Sequence, residues 1–416
     1  MDKIVIHGGK RLRGSVDISG SKNAALPIMV AALLTDDECV LENVPQLADI
    51  DTTNGFLQFI GKKIVKKGGR LYIRHNGPLK STAPYDLVRR MRASILVMGP
   101  LLARLGRVRV SLPGGCAIGA RPIDIHLESF ERLGASIDLR GGYVETTAVK
   151  LIGARIPFRF PSVGATENVM LAAVLARGTT LIENAAREPE IVDLADVLNK
   201  MGARVRGAGT KSIVIDGVDA LHGFRHTIIP DRIETATYII AAAVTRGDVT
   251  LRKTSADLIR AVILKLRKAG LRIDVKGDTL RARWVKPLRP VSITTGVYPA
   301  FPTDVQAQWM ALMALVQGKS VVVETVFENR FLHVGELQRL GANLKVDGNR
   351  VSITGVDRIS GAPVMVSDLR AGAALIIAGL AAEGRTEVLR VYHLDRGYEC
   401  LEKKLRCLGA DVRRVQ

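Results

Sequence analysis

Apolar residues along this chain come in two textures. Ala-rich runs such as "NAALPIMVAALL", "NVMLAAVLA", "TYIIAAAVT" and "ALIIAGLAA" are apolar throughout, and their length and composition predict buried helices. In most copies a Gly turn and a β-rich segment follow, as in "GTTLIEN", "GDVTLRK" and "GKSVVVET", which predict strands. An amphipathic helix then ends at an apolar–Gly–x–x–apolar signature: "FIGKKI", "RLGASI", "KMGARV", "KAGLRI", "RLGANL" and "CLGADV". The signature glycines, Gly61, Gly134, Gly202, Gly270, Gly341 and Gly409, recur at intervals of 73, 68, 68, 71 and 68 residues. Glycine there suits a helix C-cap that needs positive φ. Two short strands close the unit, as in "ARVRG" with "SIVIDG" or "NLKVDG" with "RVSITG". The pattern predicts six βαβαββ repeats in an α/β protein.

The last repeat breaks the rule in an informative way. After "LGADVRRVQ" the chain has no second closing strand, whereas the N-terminal "KIVIHGG" is a spare strand of suitable length. Six units suggest two domains of three. Residues 1–21 are therefore expected to join 230–416 in one discontinuous domain carrying Asp304, Asp368, Arg370 and Arg396. Residues 22–229 form the other, carrying Lys22, Arg92 and the loop around Cys116. In "RHTIIPDRIETA", Pro230 reads as a break and Asp231 as a helix cap. Two chain crossings would act as a hinge beside a cleft.

Composition narrows the classes. A length of 416 residues favours two domains, and 47% hydrophobic with 24% charged residues excludes disorder. The longest apolar runs, such as "AALIIAGLAA", are too short to span a bilayer, so no membrane is expected. The start "MDKIVIHGGK" lacks a signal-peptide layout, which implies a cytoplasmic protein. Cys39, Cys116, Cys400 and Cys407 form no CxxC or zinc spacing, and the seven histidines no metal motif, so free thiols and no metal or cofactor are expected. The net charge of +19 admits a basic surface, a site for an anionic small substrate, or nucleic acid. Only 4% aromatic residues and no RRM, KH or zinc-finger motif count against nucleic acid.

"SLPGGCAIGARP" (111–122) sets Cys116 among Gly114, Gly115 and Gly119. That suggests either a mobile loop with a reactive thiol, able to close over a ligand, or a loop cysteine with no role. Pro122 suits a first helical turn, which puts Arg121 beside the positive helix end and lowers the thiol pKa. Lys22 and Asn23, in "SGSKNAALP", stand at the start of an apolar helix and make an anion site or an ordinary solvated end. In "DLVRRMRASILVMGP", Arg89, Arg90 and Arg92 surround the first turns of a helix, with Arg89 and Arg92 on one face. Asp304 in "YPAFPTDVQAQ" is an N-cap or a base. Asp368 and Arg370 in "VSDLRAGAA" and Arg396 in "YHLDRGYE" add further groups near element ends.

Together, "LPGGCAIGARPIDIHL", "FPSVGATEN", "AFPTDVQAQ", "TVFENRF.H" (with Leu332 at the gap), "DLRAGAAL" and "YHLDRGYE" resemble the UDP-N-acetylglucosamine 1-carboxyvinyltransferases, also called UDP-N-acetylglucosamine enolpyruvyl transferases. The resemblance runs from "ISGSKNAALP" to the last strand. It implies two inside-out α/β barrel domains of three βαβαββ repeats each, with the N-terminal strand crossing into the C-terminal domain. It further implies enolpyruvyl transfer from phosphoenolpyruvate to the 3′-hydroxyl of UDP-N-acetylglucosamine through a tetrahedral ketal, in the first committed step of peptidoglycan synthesis, with no cofactor.

By that resemblance Cys116 is the proton donor, able to form a thioketal adduct with phosphoenolpyruvate and to be alkylated by fosfomycin. Asp304 is the group at the sugar 3′-hydroxyl. Lys22, Arg121 and Arg396 are the phosphoenolpyruvate pocket, with Asn23 and Arg370 close by. Arg92, Arg121, Pro122, Ile123, Asp124, Ile125, Ser162, Val163, Gly164, Asp304 and Val326 are the nucleotide-sugar side. One departure is plain. Many relatives carry a lysine two residues before the serine of "SVGAT", where this chain has Phe160. Arg159 is one step away, and because a strand alternates faces it cannot simply replace that lysine. The sister family, 5-enolpyruvylshikimate-3-phosphate synthase, lacks the cysteine loop.

Overall fold

The signature glycines adopt backbone that side chains rarely tolerate, with φ from 88° at Gly134 to 127° at Gly61. Each follows an outer amphipathic helix: Ala48–Ile60, Asp124–Arg132, Pro189–Lys200, Arg260–Ala269, Val334–Arg339 and Leu401–Cys407. These features come from a computed structural model, which describes residues 2–88, 91–112 and 123–416.

The described residues form six four-stranded sheets of one topology. The first strand of a repeat lies parallel to the second, the fourth runs antiparallel beside the second, and the third takes the far edge. Strand Lys319–Val323 shows why: its residues alternate inward and outward, so only one face of the sheet is buried. That face packs on the Ala-rich helices. Arg232–Val244, Gln306–Met313 and Leu369–Ala381 pack on one another in one unit, and Ile233 to Val244 are buried all round. Lys22–Ala31, Met98–Leu105 and Val163–Ala173 hold the corresponding places in the other. No helix among the described residues is long and apolar enough to cross a membrane.

Three sheets are completed by distant segments. Strand Lys3–His7 sits between Arg385–Leu389 and Asp411–Val415, supplying the closing strand that the last repeat lacks. Arg13–Asp17 is the parallel edge beside Asp248–Arg252, and Arg225–Thr227 the parallel edge beside Cys39–Glu42. Among the described residues, the chain up to Ser19 and from Pro230 onward forms one compact unit, and Gly20 to Ile229 the other. Asp231 caps the helix at the second crossing by accepting the Ile233 and Glu234 N–H groups.

The stretch 86–100 departs from expectation. It is a short helix Tyr85–Val88, an extended Met91 (φ −151°, ψ 122°), a 3-10 turn Arg92–Val97 and a helix Met98–Leu105. The Asn168 side chain accounts for the last break. It donates to the Ile95 carbonyl at 3.0 Å and accepts the Gly99 N–H at 2.8 Å, separating the two groups that a continuous α-helix would join. With Met91 extended, Arg92 does not continue the helix Tyr85–Val88; Arg89 and Arg90 lie outside the described residues.

Candidate active site

Asp304 sits in the turn Thr303–Val305, just before the helix Gln306–Met313, and its side chain caps nothing. Its Oδ1 accepts from Arg330 Nη2 at 2.8 Å, and its Oδ2 from Arg370 Nε and Nη2 at 3.2 and 3.0 Å. Both arginines are buried, with side chains 6% and 5% exposed. Arg370 is the second residue of Leu369–Ala381, and Asp368 caps that helix by accepting the Arg370 and Ala371 N–H groups. The two aspartates therefore divide the work: Asp368 fixes the helix start, and Asp304 holds the guanidinium it presents.

The electrostatics follow from burial against charge. Burial alone would raise the Asp304 carboxyl, but Arg370 and Arg330 outweigh it and hold it well below the usual carboxylate range. Burial likewise opposes the charge on Arg370, and Asp304 restores it. Arg370 Nη1 is buried without a hydrogen-bond partner among the described residues. Arg370 also lies over the Tyr398 ring, 5.5 Å from its centroid. Close by, burial and Arg330 push His333 down to about 4 against the pull of Asp368. Glu324 accepts from the Thr295 and Thr303 hydroxyls and, at 2.8 Å, from the Val326 N–H, fixing the backbone at Val326. Arg396 ends the 3-10 turn Val391–Arg396, half-buried; burial first, and then its charge, lower His393.

In the other unit, Lys22 opens the helix Lys22–Ala31, which Ser21 caps, and reaches Asp49 at 3.1 Å with both side chains nearly buried. Asn23 follows it, half-buried. Ser162 caps Val163–Ala173 by accepting the Ala165 N–H. Gly164 lies against the His126 ring, where an added Cβ would make an ordinary van der Waals contact at 3.4 Å. Asp124 opens the helix Asp124–Arg132 behind the buried Ile123, and its carboxylate accepts the Ile125 N–H at 2.9 Å.

Arg159 and Phe160 require a correction. The strand ends at Pro157, so both lie in a bend where faces do not alternate. Arg159 is instead engaged by Asp124 and, at 2.8 Å, by Glu128, while Phe160 is 42% exposed. Cys116, Arg121 and Pro122 lie outside the described residues, as does the Arg92 side chain. Sequence reasoning paired neither Lys22 with Asp49 nor Asp304 with Arg330. Arg330 and His333 stand within "TVFENRF.H", but nothing in their spacing assigned them a partner.

The family model for EPSP synthase (3-phosphoshikimate 1-carboxyvinyltransferase) matches residues 6–405. The UDP-N-acetylglucosamine 1-carboxyvinyltransferase of Endomicrobium trichonymphae is 63% identical over 414 residues, 99% of each chain. The chain belongs to the UDP-N-acetylglucosamine 1-carboxyvinyltransferase family. The family's member in Geotalea daltonii is 55% identical over 416 residues, the whole of both chains. Among solved structures, the enolpyruvyl transferase NikO from Streptomyces tendae has a TM-score of 0.89 at 29% identity, covering 100% of this chain and 99% of its own. EPSP synthase from Acinetobacter baumannii has a TM-score of 0.77 at 18% identity over the whole of both chains, a likeness of fold alone.

Proposed function

We propose that the protein transfers the enolpyruvyl group of phosphoenolpyruvate to the 3′-hydroxyl of UDP-N-acetylglucosamine, releasing phosphate, as the first committed step of peptidoglycan synthesis. The sugar hydroxyl adds to C2 of phosphoenolpyruvate and gives up its proton to Asp304, while C3 takes a proton from Cys116, giving a tetrahedral ketal. Loss of phosphate and of a proton from the new methyl group restores the vinyl group. Lys22, Arg121 and Arg396 bind the phosphate and carboxylate, with Asn23 and Arg370 beside the reacting atoms. Arg92, residues 121–125, residues 162–164 and Val326 hold the nucleotide sugar. We place the reaction in the cytoplasm, with these two small molecules as substrates and no cofactor.

The observation that carries this reading is the Asp304 carboxylate between two buried guanidiniums. Held that far below the usual range, it accepts a hydrogen bond from a sugar hydroxyl but is a weak base. An anionic substrate that engages Arg370, whose Nη1 has a free donor, draws positive charge away from Asp304 and raises its basicity. The base would thus strengthen only when phosphoenolpyruvate is present. The test is the product made in deuterated water. Addition–elimination puts deuterium into the vinyl group of an enolpyruvyl ether of UDP-N-acetylglucosamine; a deuterium-free vinyl group, or no such ether, contradicts the reading.

A further inference from the structure

Positive charge is concentrated in one repeat. Residues 260–289 contain ten lysines and arginines against Asp274 and Asp278, a net +8 of the chain's +19. Other sheet faces pair arginines with carboxylates, as in Arg155–Glu183, Arg70–Glu42 and Arg109–Glu145; in this repeat Arg281 is paired with Asp248. Arg260, Lys268, Lys276, Lys286 and Arg289 have no such partner among the described residues.

Several of these cations share one face of a helix. On the helix Arg260–Ala269, spacing puts Arg260, Leu264, Arg267 and Lys268 along one stripe, opposite the buried Val262, Leu266 and Ala269. The segment after strand Thr279–Arg283 comes against the end of that helix. Arg289 N–H donates to the Ala269 carbonyl at 2.8 Å, and the Lys286 and Leu288 side chains lie beside Gly270. Val285, Lys286 and Arg289 thus follow directly on the end of that helix. Leu264 and Val285 are 56% and 54% exposed.

Local structure explains only part of this. The helix dipole favours Arg267 and Lys268 in the last turn, but it disfavours Arg260 at the first. It gives no reason for aliphatic side chains exposed among cations. The neighbouring cavity, lined by Arg260, Tyr298 and Pro302 among others, is about 20 Å³ and has room for about one water, so it offers no groove for an acidic peptide.

We propose that this face docks the protein on an anionic lipid surface, with the cations at the headgroups and Leu264 and Val285 entering the acyl boundary. The test is co-sedimentation of the full chain with phosphatidylcholine vesicles, with and without phosphatidylglycerol. Binding is expected only when phosphatidylglycerol is present. Each basic residue near such a surface contributes about a factor of five, so Lys268→Gln/Lys286→Gln/Arg289→Gln should weaken partitioning on the order of a hundredfold. Leu264→Ser should weaken it by a smaller factor, and both variants should keep the parent's thermal midpoint. Equal binding to both vesicle types, or none, would overturn the proposal. So would an equal loss from Lys63→Gln/Lys67→Gln/Lys211→Gln, which would point to net charge alone. Retention by short single-stranded RNA without vesicle binding would overturn it in favour of nucleic acid.

Discussion

Arg370 grips a single carboxylate oxygen of Asp304 through both Nε and Nη2, at 3.2 and 3.0 Å. Arg330 holds the other oxygen, so Asp304→Asn leaves two buried guanidiniums facing a neutral amide. Uncompensated buried charge of this kind costs about 3–5 kcal/mol, and loss of a base costs about 10²–10⁴ in rate. Asp304→Asn should therefore lower both the unfolding free energy and kcat by roughly these amounts. Denaturant melts alongside initial rates would check it; unchanged kcat would remove Asp304 from the chemistry.

Two buried groups should give opposite pH dependences of stability. His333 is held at about 4 by burial and Arg330, so between there and its unfolded value of about 6.5 the unfolded state binds a proton that the folded state does not. Its contribution to stability is lost as pH falls through that window, up to about 3 kcal/mol. Burial raises Glu234 to about 7 despite its 2.6 Å contact with Lys404, so its contribution is present below about 4.5 and lost as pH rises through 7. Relative to wild type, His333→Asn should gain stability from pH 7 to about 5, and Glu234→Gln should lose it. Melting profiles parallel to wild type would contradict both assignments.

Phe160 marks where a cation is missing. Arg159 cannot serve while Asp124 and Glu128 engage it, and Phe160 is exposed enough to accept a lysine without disturbing the core. An exposed ion pair contributes up to about 1 kcal/mol. Phe160→Lys is expected to lower KM for the nucleotide sugar about fivefold at constant kcat, the signature of uniform binding. An unchanged KM in steady-state kinetics would mean that this bend does not approach the diphosphate.

The thiol prediction rests on chemistry. If Cys116 delivers the proton to phosphoenolpyruvate, the epoxide fosfomycin, which mimics that substrate, should alkylate it and abolish activity. Peptide mass spectrometry should place the adduct on Cys116 while Cys39, buried and with its thiol pushed up to about 11 by burial, stays unmodified. Full activity after prolonged exposure would count against the assigned role.

Much of the fold was legible because its signals are local. The signature glycines fix helix ends through one backbone angle, and the all-apolar helices and alternating strands follow from burial on all sides or on one. The edge pairings of Arg13–Asp17 and Arg225–Thr227 were not legible, since nothing within a short strand names a partner more than 180 residues away. The same limit applies to the site. Asp304 stood out beside its prolines, but the arginines that set its charge state come from two other segments of the chain. The break in residues 86–100 was equally hidden, because it depends on Asn168 reaching in from another helix.

The most direct test is phosphate release from phosphoenolpyruvate by wild type and Cys116→Ala, with UDP-N-acetylglucosamine or shikimate-3-phosphate as acceptor. Release with the nucleotide sugar alone, lost or severely reduced in Cys116→Ala, is the predicted result. Release with shikimate-3-phosphate, or undiminished release by Cys116→Ala, would contradict the account.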